Sequence, residues 1–462
     1  MKNTNHSAAP AGSGMKGVRG SFLTFCADPF ITDEAQSCFC VHDGLIVIDD
    51  GKIVSAGDYR HTIALYPGLT DIDTYSDALI IPGMIDTHVH YVQTPMIGSF
   101  GCSLLDWLDR YAFPAEGRFA DKDFADSVAK IFFRQTLREG TTTANVFATT
   151  FAQSVDALFE ESERYNALTI SGKVLQDRNL PDYLRDADTV RSVGISEELL
   201  LKWHGRGRQL YAVIPRFAPT STPEQLRLAG ELYRRYIDKG VYMHTHLDED
   251  ADEIKWVAEL FPDCRNYTDV YNRFGLVGNR SVFAHSCLVR PEEWQMLSDS
   301  DCAVAHCPSS NLFLGDGAFK YWEAKDSTRP VRTGLGTDVG AGTNFSLLRQ
   351  MGDAYKVSML ASRGLSPLRS LYMATRGGAE ALHLEHKIGS IAPGYDADLA
   401  VLDFNANDFA AWRMQFCNNL EEKIFVLATL GLSDSNRATY VAGRKVYDRR
   451  RDTPWLYAAD AR

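Results

Sequence analysis

The sequence predicts an α/β protein whose middle is a (β/α)8, or TIM, barrel, with short β segments toward both ends of the chain. Three observations lead there. Roughly 300 central residues alternate strand-like and helix-like segments. Eight strand-like runs can be counted, most of them short and almost continuously apolar, as strands buried on both faces are. His, Asp, Arg and Glu recur at the C-terminal ends of those runs, which is where a barrel of this kind carries its active site. The 462 residues agree with this: one barrel of about 250 residues plus a smaller companion fits the length.

In chain order, residues 1–17, MKNTNHSAAPAGSGMKG, lack the apolar centre of a secretory signal and read as a flexible polar leader. From Val18 to about Leu79 short alternating strands follow, VRGSFLTF and GLIVIDDGKIVSAGDY. Asp50-Gly51 stands between two apolar runs, a strong hairpin signal. The barrel strands are ALIIPGMIDTHVH, TTTANVFAT, LTISGKVL, QLYAVIPRFAPT, GVYMHTHLDE, SVFAHS, CAVAHCPSSN and VRTGLGTDVG. Amphipathic stretches follow several of them. In DFADSVAKIFFRQTLREG, Phe124, Val128, Ile131 and Gln135 fall on one helical stripe, and Gly140 is the stop. From about Gly389 to Asp448 the strand texture returns in DADLAVLDF and TYVAGRKVYD, with Ala442-Gly443 at a turn. The barrel is therefore expected over 81–388.

Composition removes several classes. Hydrophobic residues are 45% and charged residues 23%, which places the chain among globular proteins rather than disordered, collagenous or coiled-coil ones. Lys plus Arg is 48 against 60 for Asp plus Glu, a net charge of −12. Such a chain repels polyanions, so neither nucleic acid nor an anionic membrane surface is an expected partner. No run approaches the roughly 18 apolar residues of a membrane span. The nine cysteines are an odd set without a C-x-x-C pair. They read as reduced thiols of a cytoplasmic protein, most of them small buried hydrophobes.

The chemistry begins at Asp86-Thr-His88-Val-His90. Alternate residues of a strand share a face, so His88 and His90 project together as a pincer for a metal. The same alternation pairs His244 with His246. Glu249 follows three residues later, where a carboxylate can work beside a metal without binding it, as a proton shuttle must. His285 and Asp338 complete the ring. Three imidazoles and a carboxylate suit Zn²⁺ with one position open to water, and such an ion brings the pKa of that water to about 7. The bland readings are a surface or packing role for His6, His42, His61, His204, His383 and His386. His306 divides between pocket lining and scaffold, and Arg216 has the alternative of a salt bridge to a rim carboxylate.

These residues resemble the hallmarks of the amidohydrolase superfamily: H-x-H on the first strand, His on the fifth and sixth, Asp on the eighth. Gly389-Ser-Ile-Ala-Pro-Gly394-Tyr-Asp-Ala-Asp398-Leu-Ala-Val-Leu-Asp403 resembles part of that superfamily's small β-sandwich, assembled from both chain ends around the barrel. Here the sandwich would take 18–80 and 389–462. Within the superfamily, PGMIDTHVHYVQ, PRFAPTSTPEQ, HTHLDEDADEI, VFAHS, CPSSNLFLGDG and GTDVGAGTNFSLL are similar to the guanine deaminases, over nearly the whole chain after about residue 17. The resemblance implies hydrolytic deamination of guanine to xanthine and ammonia by a metal-bound hydroxide, in purine catabolism or salvage. It implies one Zn²⁺ per chain, with Fe²⁺ also compatible, held by His88, His90, His246 and Asp338. Glu249 would be the proton shuttle, with His285 and Asp338 as the other catalytic groups. Gln93, Arg216 and Phe217 would read the purine, with His246, Glu249, His285 and Asp338 also against it. A cytoplasmic homodimer is implied as well.

Two absences narrow the reading. Binuclear members of the superfamily carry a Lys at the end of the fourth strand. This chain has Arg216 in that region and Lys173 on the third strand, so one metal is expected. The H-x-E and P-C-x-x-C signature of the other zinc deaminases is missing. The rival is a related enzyme deaminating cytosine, a triazine or a purine analogue, against which Gln93 and Pro215-Arg216-Phe217 weigh. A non-catalytic relative would have lost ligands that this chain keeps. The segment 311–330, NLFLGDGAFKYWEAKDSTRP, is placed to help close the site.

Overall fold

The structure is a computed structural model that describes residues 14–452 apart from 102, 432 and 433. His6, Cys102 and the first thirteen residues of the expected leader lie outside the described residues.

Eight parallel strands follow one another around the barrel: Met84–His90, Thr141–Phe147, Leu168–Gly172, Gln209–Pro215, Tyr242–Leu247, Ser281–His285, Ala303–His306 and Arg332–Leu335. Nearly every residue on them is buried, which is why they read as continuous apolar runs. First and last strands meet through Thr87 Oγ1 donating to the Leu335 carbonyl (2.9 Å) and Asp338 N–H donating to the His88 carbonyl (3.0 Å). The ring is thereby nearly closed.

The eight expected strands are present, with two boundaries redrawn. ALIIPGMIDTHVH is the meeting of two strands, because Ile72–Pro82 belongs to the terminal sheet and only Met84–His90 to the barrel. Gly83 separates them, and a Cβ there would stand 2.2 Å from Thr142 Oγ1. The third run breaks after Gly172, and its remainder, Val174–Leu175, pairs with Ile214 and Pro215.

The helix Lys122–Arg138 starts where Asp121 accepts from Asp123 N–H, and it ends before Gly140 in a left-handed conformation (φ 85°). Its buried face is Ala125, Val128, Ala129, Phe132, Phe133, Thr136 and Leu137. Only Val128 of the expected stripe is on it; Phe124, Ile131 and Gln135 are half-buried. Ala125 and Ala129 are small enough to let the helix approach the sheet, and the two adjacent phenylalanines turn that side inward.

Strands from both chain regions form one seven-stranded mixed sheet. Its order is Arg444–Asp448, Asn436–Val441, Leu399–Asp403, Ile72–Pro82, Lys16–Phe25, Cys38–Asp49, Lys52–Asp58. Only the pair Lys16–Phe25 with Ile72–Pro82 is parallel. Both expected turns are tight hairpins with two left-handed residues, Asp50 and Gly51 (φ 45° and 76°) and Ala442 and Gly443 (φ 44° and 73°), the backbone that matches strand twist. Arg208, just before the fourth barrel strand, fastens this sheet to the barrel floor. Its guanidinium donates to Asp398 (3.1 and 2.5 Å) and to Asp396 (3.0 Å), all three side chains being buried. Among the described residues, eight cysteines are free and no helix is long and apolar enough to cross a membrane.

Candidate metal centre and substrate pocket

Four strand ends deliver the polar cluster. His88 and His90 alternate on the first strand, and His244 and His246 on the fifth. His285 ends the sixth, and Asp338 lies three residues beyond the eighth. His285 and Asp338 are both left-handed (φ 67° and 47°), a conformation that costs a non-glycine residue about 1 kcal/mol or more and concentrates at functional sites. Asp86 clamps the first strand to the eighth, accepting from Thr337 N–H (3.0 Å) and Thr337 Oγ1 (2.5 Å).

The ring nitrogens converge. His88 Nε2 stands 3.2 Å from Asp338 Oδ1, and His90 Nε2 stands 3.5 Å from the same oxygen. His90 Nε2 and His246 Nε2 are 3.2 Å apart. His246 Nδ1 donates to the Arg216 carbonyl (2.7 Å), so its Nε2 is a bare lone pair. His88 Nδ1 is engaged by His244 Nε2 at 2.8 Å, which fixes that ring from behind. His285 Nδ1 donates to Asn311 Oδ1 (2.8 Å) and faces Glu249 Oε1 at 3.4 Å, while its Nε2 lies 4.0 Å from Asp338 Oδ2.

This donor set fits a divalent cation. Among the described residues, His88 Nε2 and His285 Nε2 are buried without a hydrogen-bond partner. The ligand atoms of His88, His90 and Asp338 lie within 4.8 Å of one another, as do those of His88, His246 and His285. Burial and the neighbouring imidazoles push His90, His244 and His246 well below their ordinary value, so all three are neutral at pH 7. Burial alone would raise Asp338, but His88, 3.2 Å away, and then His285 hold it below the usual carboxylate range. Neutral imidazoles around an ionised carboxylate are what Zn²⁺ takes.

Beside the cluster a pocket of about 360 Å³, part of it open to solvent, is lined by His90, Gln93, Arg216, Phe217, Glu249 and Asp338 together with His246 and His285. All the expected substrate-side residues therefore line one pocket. The pocket also holds groups that sequence reasoning missed. Leu104, Trp107, Leu108 and Ala341 form its apolar side. Glu116, fully buried, accepts from Gln93 Nε2 (3.0 Å) and from Arg216 Nη1 (2.7 Å). The salt bridge foreseen as the alternative for Arg216 thus exists, and its partner orients two pocket donors at once. Leu104, Trp107 and Leu108 repeat at helical spacing and could have been found that way. Asn311 lies in a quoted motif; Glu116 carries no local signal.

Two further residues are assigned to the scaffold. Lys173 Nζ donates to Asp186, Thr150, Ser192 and the Val174 carbonyl, none of them in the histidine cluster. His306 is stacked on Phe319 (4.5 Å) and edge-on to Tyr321 (5.0 Å), away from the pocket lining. Of the remaining described histidines, His42, His61 and His386 are exposed, and His204 and His383 are half-buried.

Comparison with known proteins follows the same line. Residues 79–444 match the model of the amidohydrolase family. The chain is 43% identical to the guanine deaminase of Escherichia coli (strain K12) over 94% of this chain and 98% of that protein. The solved structure of the E. coli guanine deaminase superposes with a TM-score of 0.91, covering 94% of this chain and all 100% of that one. The guanine deaminase from C. acetobutylicum, solved with guanine bound in its active site, superposes with a TM-score of 0.82 at 28% identity, over 94% of this chain and 100% of that one.

Proposed function

The chain belongs to the amidohydrolase family, within it to the guanine deaminases, and on that premise we propose how its pocket hydrolyses guanine to xanthine and ammonia. The observation that carries the reading is one pocket lined by the histidine–aspartate cluster together with Gln93 and Arg216, both of them hydrogen-bonded to Glu116. A divalent cation held by His88, His90, His246 and Asp338, zinc with Fe²⁺ as the alternative, would supply Lewis-acid activation of water at C2.

The chain's own residues do the rest. Arg216 and Gln93 read the hydrogen-bonding edge of the purine, the guanidinium as donor only and the amide as donor and acceptor. Glu116 holds both in place before substrate arrives, so less ordering is needed on binding. Phe217 packs edge-on to His246 and Trp256 (6.4 and 6.3 Å) and offers an apolar flank to the ring. Glu249 is raised well above its ordinary value, first by burial and then by Asp316 and Glu253, which favours its protonated form. It gives that proton to N3 and then assists the departing amine. His285 and Asp338 orient the attacking water and take up its proton.

A site built to pair with one donor–acceptor pattern rejects the opposite pattern by about 10⁴–10⁵. Adenine reverses that pattern at C6, so guanine is favoured over it by this order. The experiment is xanthine formation from guanine by purified protein, with metal measured on the same sample and adenine as the control. Turnover of guanine with about one metal per chain supports the reading. A fully metallated protein inert toward guanine rejects it. The same reading carries a cytoplasmic homodimer, and sedimentation of the pure protein tests the dimer.

A further inference from the structure

The fourth and fifth barrel strands pair at two places, Ala212 with Tyr242 and Val213 with Met243, and among the described residues their ladder stops there. The fifth and sixth strands, by contrast, stay paired as far as Leu247 and His285. Past the last rung, Arg216 and Phe217 follow the fourth strand, while His246 and then Glu249 stand at the end of the fifth. Side chains bridge this seam instead of backbone. The Arg216 carbonyl accepts from Thr245 Oγ1 (3.2 Å) as well as from His246 Nδ1. The helix Tyr267–Arg273 supplies the rest. Tyr267 and Tyr271, four residues apart, share one of its faces, stacked at 5.4 Å and buried. Tyr271 Oη accepts from Ala218 N–H (3.0 Å) and donates to the His246 carbonyl (2.9 Å). Tyr267 Oη, 3.4 Å from that hydroxyl, donates to Glu253 Oε1 (2.8 Å). The other oxygen of Glu253, also buried, accepts the N–H of Glu249 (3.1 Å). One line of buried polar groups therefore runs from Ala218, beside the purine-reading residues, to the backbone of Glu249.

We propose that Tyr271 is a positioning residue for the deamination: with Tyr267 and Glu253 extending its reach, it sets the span between the strand end that reads the purine and the strand end that carries the proton shuttle. Arg216 and Phe217 place the ring, and Glu249 must meet a nitrogen of that ring. The two groups belong to different strands, and the ladder between those strands ends before it reaches them. Buried backbone N–H and C=O groups need partners. One phenol hydroxyl serves both, as acceptor to the fourth strand's continuation and as donor to the fifth. Phenylalanine would fill the same space and hold neither. Reaction depends on atoms held in register, and a displacement of about 1 Å costs around 10²-fold. Tyr271 does not line the pocket, so it acts through the two strand ends rather than on the substrate.

The inference rests on the deaminase reading, and the test separates the two. Metal-loaded wild type, Tyr271→Phe, Tyr267→Phe and Tyr242→Phe are assayed on guanine, with metal content and denaturation midpoint measured on each. Tyr242 is the control. Its buried hydroxyl donates to the Leu382 carbonyl (2.6 Å) at the opposite end of the fifth strand, so its loss weakens the fold without reaching the pocket. Tyr271→Phe should lower kcat per metal-loaded molecule by roughly 10–100-fold. KM should stay within about threefold, because Arg216 and Gln93 remain on Glu116. Tyr267→Phe frees only the Glu249 end and should lower kcat roughly tenfold; it gives the answer should Tyr271→Phe not fold. Tyr242→Phe should lower the midpoint alone. Hydrogen exchange read on peptides should quicken over 216–220 and 246–250 in Tyr271→Phe and not in Tyr242→Phe. An unchanged kcat, a fall that Tyr242→Phe matches, or a loss confined to KM overturns the proposal. If wild type leaves guanine untouched, the deaminase reading fails and exchange decides alone: quickening at both strand ends upholds the tie, and unchanged exchange overturns it.

Discussion

At the scale of single residues the site divides into groups visible from their neighbours in sequence and groups visible only in space. Glu249 is of the first kind, three places after a histidine of a strand-end pair. Glu249→Gln keeps its shape and removes its proton, so kcat on guanine should fall by about 10²–10⁴ while metal analysis shows the ion retained. Glu116 is of the second kind. It meets Arg216 across 100 residues of chain, and nothing in FPAEG marks it. Glu116→Gln leaves Arg216 without its counter-charge, which should cost about 3 kcal/mol of stability in a denaturant titration. The same change should raise KM for guanine more than it lowers kcat, because it unsettles donors that bind rather than react. The metal-type residues were legible because strand alternation and strand-end placement need no knowledge of the fold. The carboxylate that orients the purine-reading side chains was not, because an ion pair between distant segments leaves no periodic trace.

At the scale of elements, the barrel strands announced themselves as apolar runs, and the two hairpins as Asp-Gly and Ala-Gly turns. What the runs could not show was where one sheet hands over to the other. ALIIPGMIDTHVH is apolar on both sides of its junction, because both its halves are buried on two faces, so hydropathy is blind there. Gly83, following Pro82, is the mark. Its N–H donates to the Asp398 carbonyl (2.8 Å), and its missing side chain makes room for Thr142. Gly83→Ala should therefore destabilise the protein by about 1–3 kcal/mol, read as a lower denaturation midpoint. It should also disturb the pincer that begins five residues later, read as weaker metal retention on dialysis. The helix Lys122–Arg138 teaches a related lesson. A stripe chosen by spacing alone overlooked that two alanines bring a helix closest to a sheet.

At the scale of the whole molecule, barrel and terminal sheet are joined at the floor, on the face away from the pocket. Arg208→Ala would leave Asp398 buried without its cation, and Asp396 with only Lys52 (2.5 Å) and the more distant Lys387 (3.9 Å). Stability should drop by about 3–5 kcal/mol, while the turnover of each folded molecule stays at the wild-type value; a denaturant curve and an active-site titration together check both halves of that statement. The sheet itself sets a timetable for synthesis. Its strand Ile72–Pro82 is flanked on one side by Lys16–Phe25, which leaves the ribosome first, and on the other by Leu399–Asp403, which leaves near the end. Tyr75 and Tyr440, hydroxyl to hydroxyl at 2.7 Å, are 365 residues apart. At 5–20 residues per second the nascent chain waits roughly 20–70 s between those two residues. Throughout that interval one edge of a buried strand stands open, the kind of surface that chaperones cover and that misassembly exploits.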